Sequence, residues 1–103
     1  MGRRSTYYLR GYIMKVIINR CFGGFAVKRS IADALGFGRY DVTNLRFNTN
    51  LIAMIEDGVD CNGWCSELAV VSIPDTATDY EITDYDGQES IIVVVDGQIH
   101  HIY

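Results

Sequence analysis

The chain has 103 residues, nearly half of them apolar, a single proline and a net charge of −4. That size admits one domain, and the composition excludes a disordered polar chain. No apolar run approaches the ~20 residues of a membrane span, the segment before residue 14 lacks the core of a signal peptide, and three cysteines are an odd number for a secreted disulfide framework.

The charge is unevenly laid out. All nine Lys and Arg lie at or before Arg46, with only Asp33 and Asp41 against them, a net of +7 for residues 1–46. Residues 47–103 carry eleven acids and no Lys or Arg, a net of −11. Two explanations fit this asymmetry: the halves attract each other, within one fold or between subunits, or a basic face binds an anion while an acidic face keeps the chain soluble.

Residues 1–13 read as a basic, tyrosine-rich arm ahead of a single domain over 14–103. The arm is either an upstream start or a frayed end, or a contact for nucleic acid or a neighbouring subunit. Val16, Ile17 and Ile18 then form a β-branched run suited to a buried strand. Gly23 and Gly24 follow, able to take positive φ and to let backbone or a ligand approach closely. Ser30 with Asp33 suggests a capped helix start, and Gly36 a helix stop. A strand, a glycine turn and a helix N-terminus, flanked by Arg20, Lys28 and Arg29, suit a phosphate or carboxylate. The spacing is neither the dinucleotide fingerprint nor a P-loop, and a glycine pair also serves as a tight connection without a ligand.

Residues 37–47 read as a connector anchored by Phe37, Tyr40, Val42, Leu45 and Phe47, with Arg39 and Arg46 adding cations. Asn48, Thr49 and Asn50 offer N-caps for a second helix with Leu51, Ile52, Met54 and Ile55 on its apolar face, ended by Gly58. Glu56 and Asp57 at its C-terminus oppose the helix dipole and call for a cation, from Arg46 or the arm.

Cys61 to Cys65 is a turn carrying Trp64, expected in the core or on a pocket wall. With Cys21, His100 and His101 these cysteines match no structural zinc pattern, so they read as small apolar groups and no metal is expected. Strands are expected over 68–73, 79–85, 90–95 and 98–103, with Asp86-Gly87 and Asp96-Gly97 as hairpin turns and 90–95 central. Glu67, Asp84, Asp86 and Glu89 read as an exposed strand face rather than a Mg²⁺ site. The expected fold is α+β: an antiparallel sheet of about four to five strands with two helices packed on one face. No catalytic constellation and no cofactor motif is visible.

Particular segments carry a resemblance: residues 15–25 (Lys15 through Arg20-Cys21-Phe22-Gly23-Gly24-Phe25), Arg46 with Asn50-Leu51-Ile52, Asn62-Gly63-Trp64-Cys65-Ser66-Glu67-Leu68, Val71 with Ile73-Pro74-Asp75, and Tyr80-Glu81-Ile82 with Tyr85-Asp86-Gly87-Gln88-Glu89. In these the chain resembles a group of small proteins encoded by bacteriophages and prophages. The group usually has Ser where Lys28 stands. Residues 91–103 look shorter and more apolar than their counterparts, and residues 1–13 fall outside the likeness. The resemblance implies a viral origin and action in the cytoplasm of a host bacterium. By analogy of context, it implies a role against host defence.

Three hypotheses follow. The first is a non-enzymatic sponge for a small phosphorylated or nucleotide-like immune signal, held by Arg20, Phe22, Gly23, Gly24, Phe25, Lys28, Arg29, Arg46 and Trp64, with the pocket shared across a homo-oligomer. The second is an inhibitor of a host defence protein, acting through an acidic, nucleic-acid-like face. The third is a small nucleotide hydrolase. Membrane and nucleic-acid partners are not expected.

Overall fold

In a computed structural model, which describes residues 14–103, the apolar run at Val16–Ile18 forms the middle of strand β1 (Met14–Asn19). β1 pairs antiparallel with β2 (Leu68–Ile73), Met14 opposite Ile73 and Asn19 opposite Leu68. Successive side chains on a strand point to opposite faces, so this ribbon has two sides, and both are covered. On one side Ile17 and Leu68 pack with Val27, Ala32, Leu45, Leu51, Ile52 and Cys61. Helices α1 (Arg29–Leu35), α2 (Val42–Leu45) and α3 (Thr49–Glu56) supply much of that layer. On the other side Val16, Ile18, Val71 and Ile73 pack against Ile91 and Val93. Those two belong to a second antiparallel sheet, in the order β3 (Asp79–Tyr85), β4 (Gln88–Val95), β5 (Gln98–His101). A strand covered on both faces needs consecutive rather than alternating apolar residues, which is what Val16-Ile17-Ile18 provides.

The α+β class and the antiparallel pairing agree with the sequence reading. The strands do not form one sheet, however. Among the described residues they divide into a two-stranded ribbon and a three-stranded sheet, and the ribbon is sandwiched between that sheet and a layer of three helices. The reason lies at the outer edge of β1, where the backbone groups that a third strand would take are satisfied by Arg46 and Glu89, as detailed below. β4 is central in its own sheet, as expected. The expected N-terminal arm lies outside the described residues. No described helix is long and apolar enough to cross a membrane.

Helix ends follow local chemistry with one exception. Gly36 closes α1 in the left-handed region at φ +88°. Asn48 caps α3, its side-chain oxygen accepting from the Leu51 N–H at 2.9 Å. The cation that meets Glu56 is Lys15, at 2.8 Å, rather than Arg46. The predicted Ser30–Asp33 cap is not formed: α1 starts two residues earlier, with Lys28 at the N-cap position and no side-chain cap bond. Chain pairing sets that start, because Val27 bridges to Asn62 and the Lys28 N–H donates to the Cys61 carbonyl. Both hairpins turn on Asp-Gly pairs with positive φ at each residue, Asp86 and Gly87, then Asp96 and Gly97, the backbone of a type I′ turn.

Gly87 has a second constraint. A Cβ there would collide with the Gly24 nitrogen and lie 2.8 Å from the Gly23 nitrogen. Gly87→Ala therefore combines strain at φ +89° with a backbone clash, and a loss of about 2 kcal/mol or more is expected in urea unfolding. Gly97→Ala, at φ +76° with no neighbour within 4 Å, carries only the conformational strain and loses less.

Candidate functional site

The outer edge of β1 runs beside the residue that follows α2. There the Ile17 N–H donates to the Arg46 carbonyl at 2.9 Å, and the Arg46 guanidinium donates back to the Ile17 carbonyl at 2.9 Å. Two positions along, the Asn19 N–H donates to the Glu89 carboxylate at 2.8 Å. Arg46 and Glu89 join each other through two bonds, Nη1 to Oε1 at 3.1 Å and Nη2 to Oε2 at 2.8 Å. Their side chains are only 13% and 8% exposed. This bidentate geometry is the strong form of a carboxylate–guanidinium contact. The Phe25 ring lies 5.1 Å beneath the guanidinium carbon.

Asn19, fully buried, ties the neighbouring loops to this pair. Its amide donates to the carbonyls of Cys21 at 2.6 Å and Gly87 at 2.7 Å. Its oxygen accepts from the N–H of Glu67 at 2.8 Å and of Cys21 at 3.3 Å. Two donors and two lone pairs are the whole capacity of an asparagine amide, so the group is satisfied.

These contacts decide what the predicted anion-binding residues do. Arg46 faces Glu89. Arg20 donates to the Glu89 carbonyl, and its guanidinium stacks 4.6 Å from the Tyr103 ring centre. Lys28 lies 3.6 Å from Asp60. Arg29 stands exposed at the start of α1. Gly23 and Gly24 do take positive φ, +124° and +114°, and a backbone does approach them closely. It is the β3–β4 hairpin: the Gly23 N–H donates to the Asp86 carbonyl at 3.0 Å, and Gly87 abuts both glycines. Arg20, Phe25 and Arg46 are thus brought together around the chain's own Glu89, Arg46 on its carboxylate and Arg20 on its backbone carbonyl. Lys28 and Arg29 point elsewhere, into the loop beside Asp60 and into solvent. Two cavities of about 470 and 240 Å³ adjoin Met14, and neither is lined by any of the nine predicted ligand residues.

Two expectations need correction. Glu89 is not on an exposed strand face; it is 6% exposed and on the side of β4 that carries Ile91 and Val93. The residue parity of β4 carried that signal, since Glu89, Ile91 and Val93 share one face. Trp64 is neither core nor pocket wall, but 90% exposed. The turn that holds it is fixed from below: the Gly63 N–H and the Ser66 hydroxyl both donate to the Ala26 carbonyl, at 2.9 and 2.7 Å. A Cβ on Gly63 would meet Ala26 at 2.8 Å, so the backbone lies flat against the core and the next side chain projects outward.

Two more exposed aromatic side chains lie on the loops that meet at Gly23. Phe22 is 54% exposed and Tyr85 74%, and their rings meet edge to face with centroids 6.3 Å apart. Gly23, next to Phe22, abuts Cys65, next to Trp64. Three large exposed aromatic side chains therefore stand around the glycine corner. The acids on the same loops, Glu67, Asp84 and Asp86, are exposed as well.

The three cysteines are unpaired, with Cys65 exposed, Cys21 intermediate and Cys61 buried. Burial pushes the Cys61 thiol up from its ordinary value, the Asp60 carboxylate adds to this and Lys28 opposes it. Among the described residues no group of three or more His, Cys, Asp or Glu side chains is placed to hold a metal ion. No family model matches the chain, and no curated protein or solved structure matches it significantly.

Two outcomes are expected from this geometry. Glu89→Gln leaves the Arg46 charge buried without its counter-ion, and a destabilisation of about 3–5 kcal/mol is expected in denaturant unfolding; the double variant Arg46→Met/Glu89→Leu loses less than the sum of the single changes. In the folded protein at pH 8, iodoacetamide alkylates Cys65 well ahead of Cys61, read by peptide mass, because the buried thiol is both shielded and held protonated.

Proposed function

We propose that the chain is a non-enzymatic binding module that docks on a basic protein surface through Phe22, Trp64 and Tyr85, with Glu67, Asp84 and Asp86 around them. The observation that carries this reading is the exposure of three large aromatic side chains at one corner of a 103-residue protein. Exposed aromatic clusters with a polar surround mark interaction sites. The surrounding acids give the partner its sign, since they favour Lys and Arg, whose cations also stack on aromatic faces. The phage resemblance supports a host defence protein as that partner. This is the inhibitor hypothesis of the sequence reading, with its contact moved from a general acidic face to an aromatic one.

The captured-anion hypothesis receives less support. Its strongest cations, Arg46 and Arg20, already hold the Glu89 carboxylate and carbonyl, and a ligand would have to displace a buried bidentate pair.

Affinity capture from bacterial lysate at low and high salt, with the retained protein identified and its binding measured, tests the proposal. Trp64→Ala is expected to weaken binding by about 2 kcal/mol, roughly 30-fold, and added salt to slow association. Arg29→Ala is expected to leave the affinity unchanged. A nucleotide that raises the melting temperature of the wild type but not of Arg29→Ala would instead restore the sponge.

A further inference from the structure

The two edges of the three-stranded sheet are built differently. β3, at one edge, carries Asp79, Glu81 and Asp84, all exposed. β5, at the other, is Gln98-Ile99-His100-His101, with all four residues exposed and no carboxylate, lysine or arginine among them. Charged side chains along an edge are the usual protection against pairing with another chain. β3 has that protection and β5 does not.

Among the described residues, the side of β5 away from β4 presents usable backbone. In a two-residue hairpin the residues flanking the turn form a hydrogen-bonded pair, and the pattern then alternates. With Val95 opposite Gln98 and Val93 opposite His100, the Ile99 and His101 backbone groups face away from β4. The Ile102 N–H donating to the Ile91 carbonyl at 3.1 Å continues the same alternation. Among the described residues no backbone group outside β4 bonds to β5. Beside this edge Ile99 is 64% exposed. It shares the outer face of the sheet with the half-buried Ile92 and Val94, so an apolar strip runs to the open edge.

We infer that the free edge of β5 takes an antiparallel strand from a second copy of this chain, giving a continuous six-stranded sheet across a two-fold axis. A two-fold through His100 sets Ile99 of one copy opposite His101 of the other, and the same two residues that offer outward backbone groups then satisfy each other. Charge selects this arrangement. The protein carries a net −4, and most approaches of two copies bring acids together. Pairing through β5 joins the uncharged edges and leaves both β3 edges outermost. Strand pairing over four residues buries a small interface, so the dimer dissociates on dilution. This surface is separate from the aromatic corner of the proposed function.

Sedimentation equilibrium of the full chain over a range of concentrations is the test. The mass is expected to rise from that of the 11.6 kDa chain toward twice that value. Ile99→Lys, which places a charge on the open edge, is expected to remain monomeric throughout, and Thr83→Lys on the β3 edge to dimerise like the wild type. Hydrogen exchange of the unmodified protein is the second readout, independent of any variant: the Ile99 and His101 amides gain protection as concentration rises. A wild type that stays monomeric overturns the inference, as does a dimer that Ile99→Lys leaves intact or protection that appears on β3 instead.

Discussion

The structure depends on how the outer edge of β1 is closed. A buried strand must have its backbone groups paired on both sides, and among the described residues β1 has a neighbouring strand on one side only. Arg46 supplies a carbonyl and a guanidinium to Ile17, Glu89 supplies a carboxylate to Asn19, and the two side chains neutralise each other. A side-chain pair thus does the work of a third strand. That substitution lets β4 cross the ribbon as part of a separate layer. An ion pair in such a place adds little net stability over an apolar pair of equal volume, because both charges lose their water. Its effect is on register. A one-residue slip of β4 would turn Glu89 to the outer face, leaving Arg46 and the Asn19 N–H without partners in a buried site.

The same pair accounts for part of the charge layout. Each ion pair among the described residues joins a cation from the first 46 residues to an acid from the remainder: Lys15 to Glu56, Lys28 to Asp60, Arg46 to Glu89. Given where the Lys and Arg lie, most pairs must take this form. What the structure adds is their unequal weight. The two surface pairs, 40% exposed or more, contribute at most about 1 kcal/mol each. The buried one acts through the penalty for breaking it. Among the described residues, attraction between the halves within one fold is therefore weighted toward the buried contact.

Much of the fold was legible because its signals are local. The Val16–Ile18 run, the Asp-Gly hairpins, Asn48 before the α3 face and Gly36 at a helix end each depend on a few adjacent residues. The division into two sheets was not legible, since it rests on residues 43 positions apart meeting across β1. The start of α1 was misread for a related reason: local capping pointed to Ser30, whereas pairing of Val27 with Asn62 fixed the cap two residues earlier, at Lys28. At the glycine corner the expectation of positive φ and close approach was sound. The approaching group was the chain's own Gly87, and sequence cannot distinguish a remote hairpin from a ligand. Glu89 was the most recoverable omission, because its parity with Ile91 and Val93 is visible in the sequence.

This arrangement also bears on the proposed docking role of the aromatic corner. Phe22, Trp64 and Tyr85 come from three segments that are distant in the chain. They are held together from beneath by Asn19, which bonds the Cys21, Glu67 and Gly87 backbones at once, and by the contact of Gly23 with both Asp86 and Cys65. Asn19 in turn stands on Glu89 through its own N–H. An interface whose backbone is fixed before binding loses less entropy when a partner docks. The polar cluster that would have made a poor site for a foreign anion, because it is already satisfied, makes a firm foundation for apolar side chains that are not. Two of these aromatics stand one residue away from closely packed glycines, Phe22 before Gly23 and Trp64 after Gly63, and that adjacency couples a rigid base to an open surface.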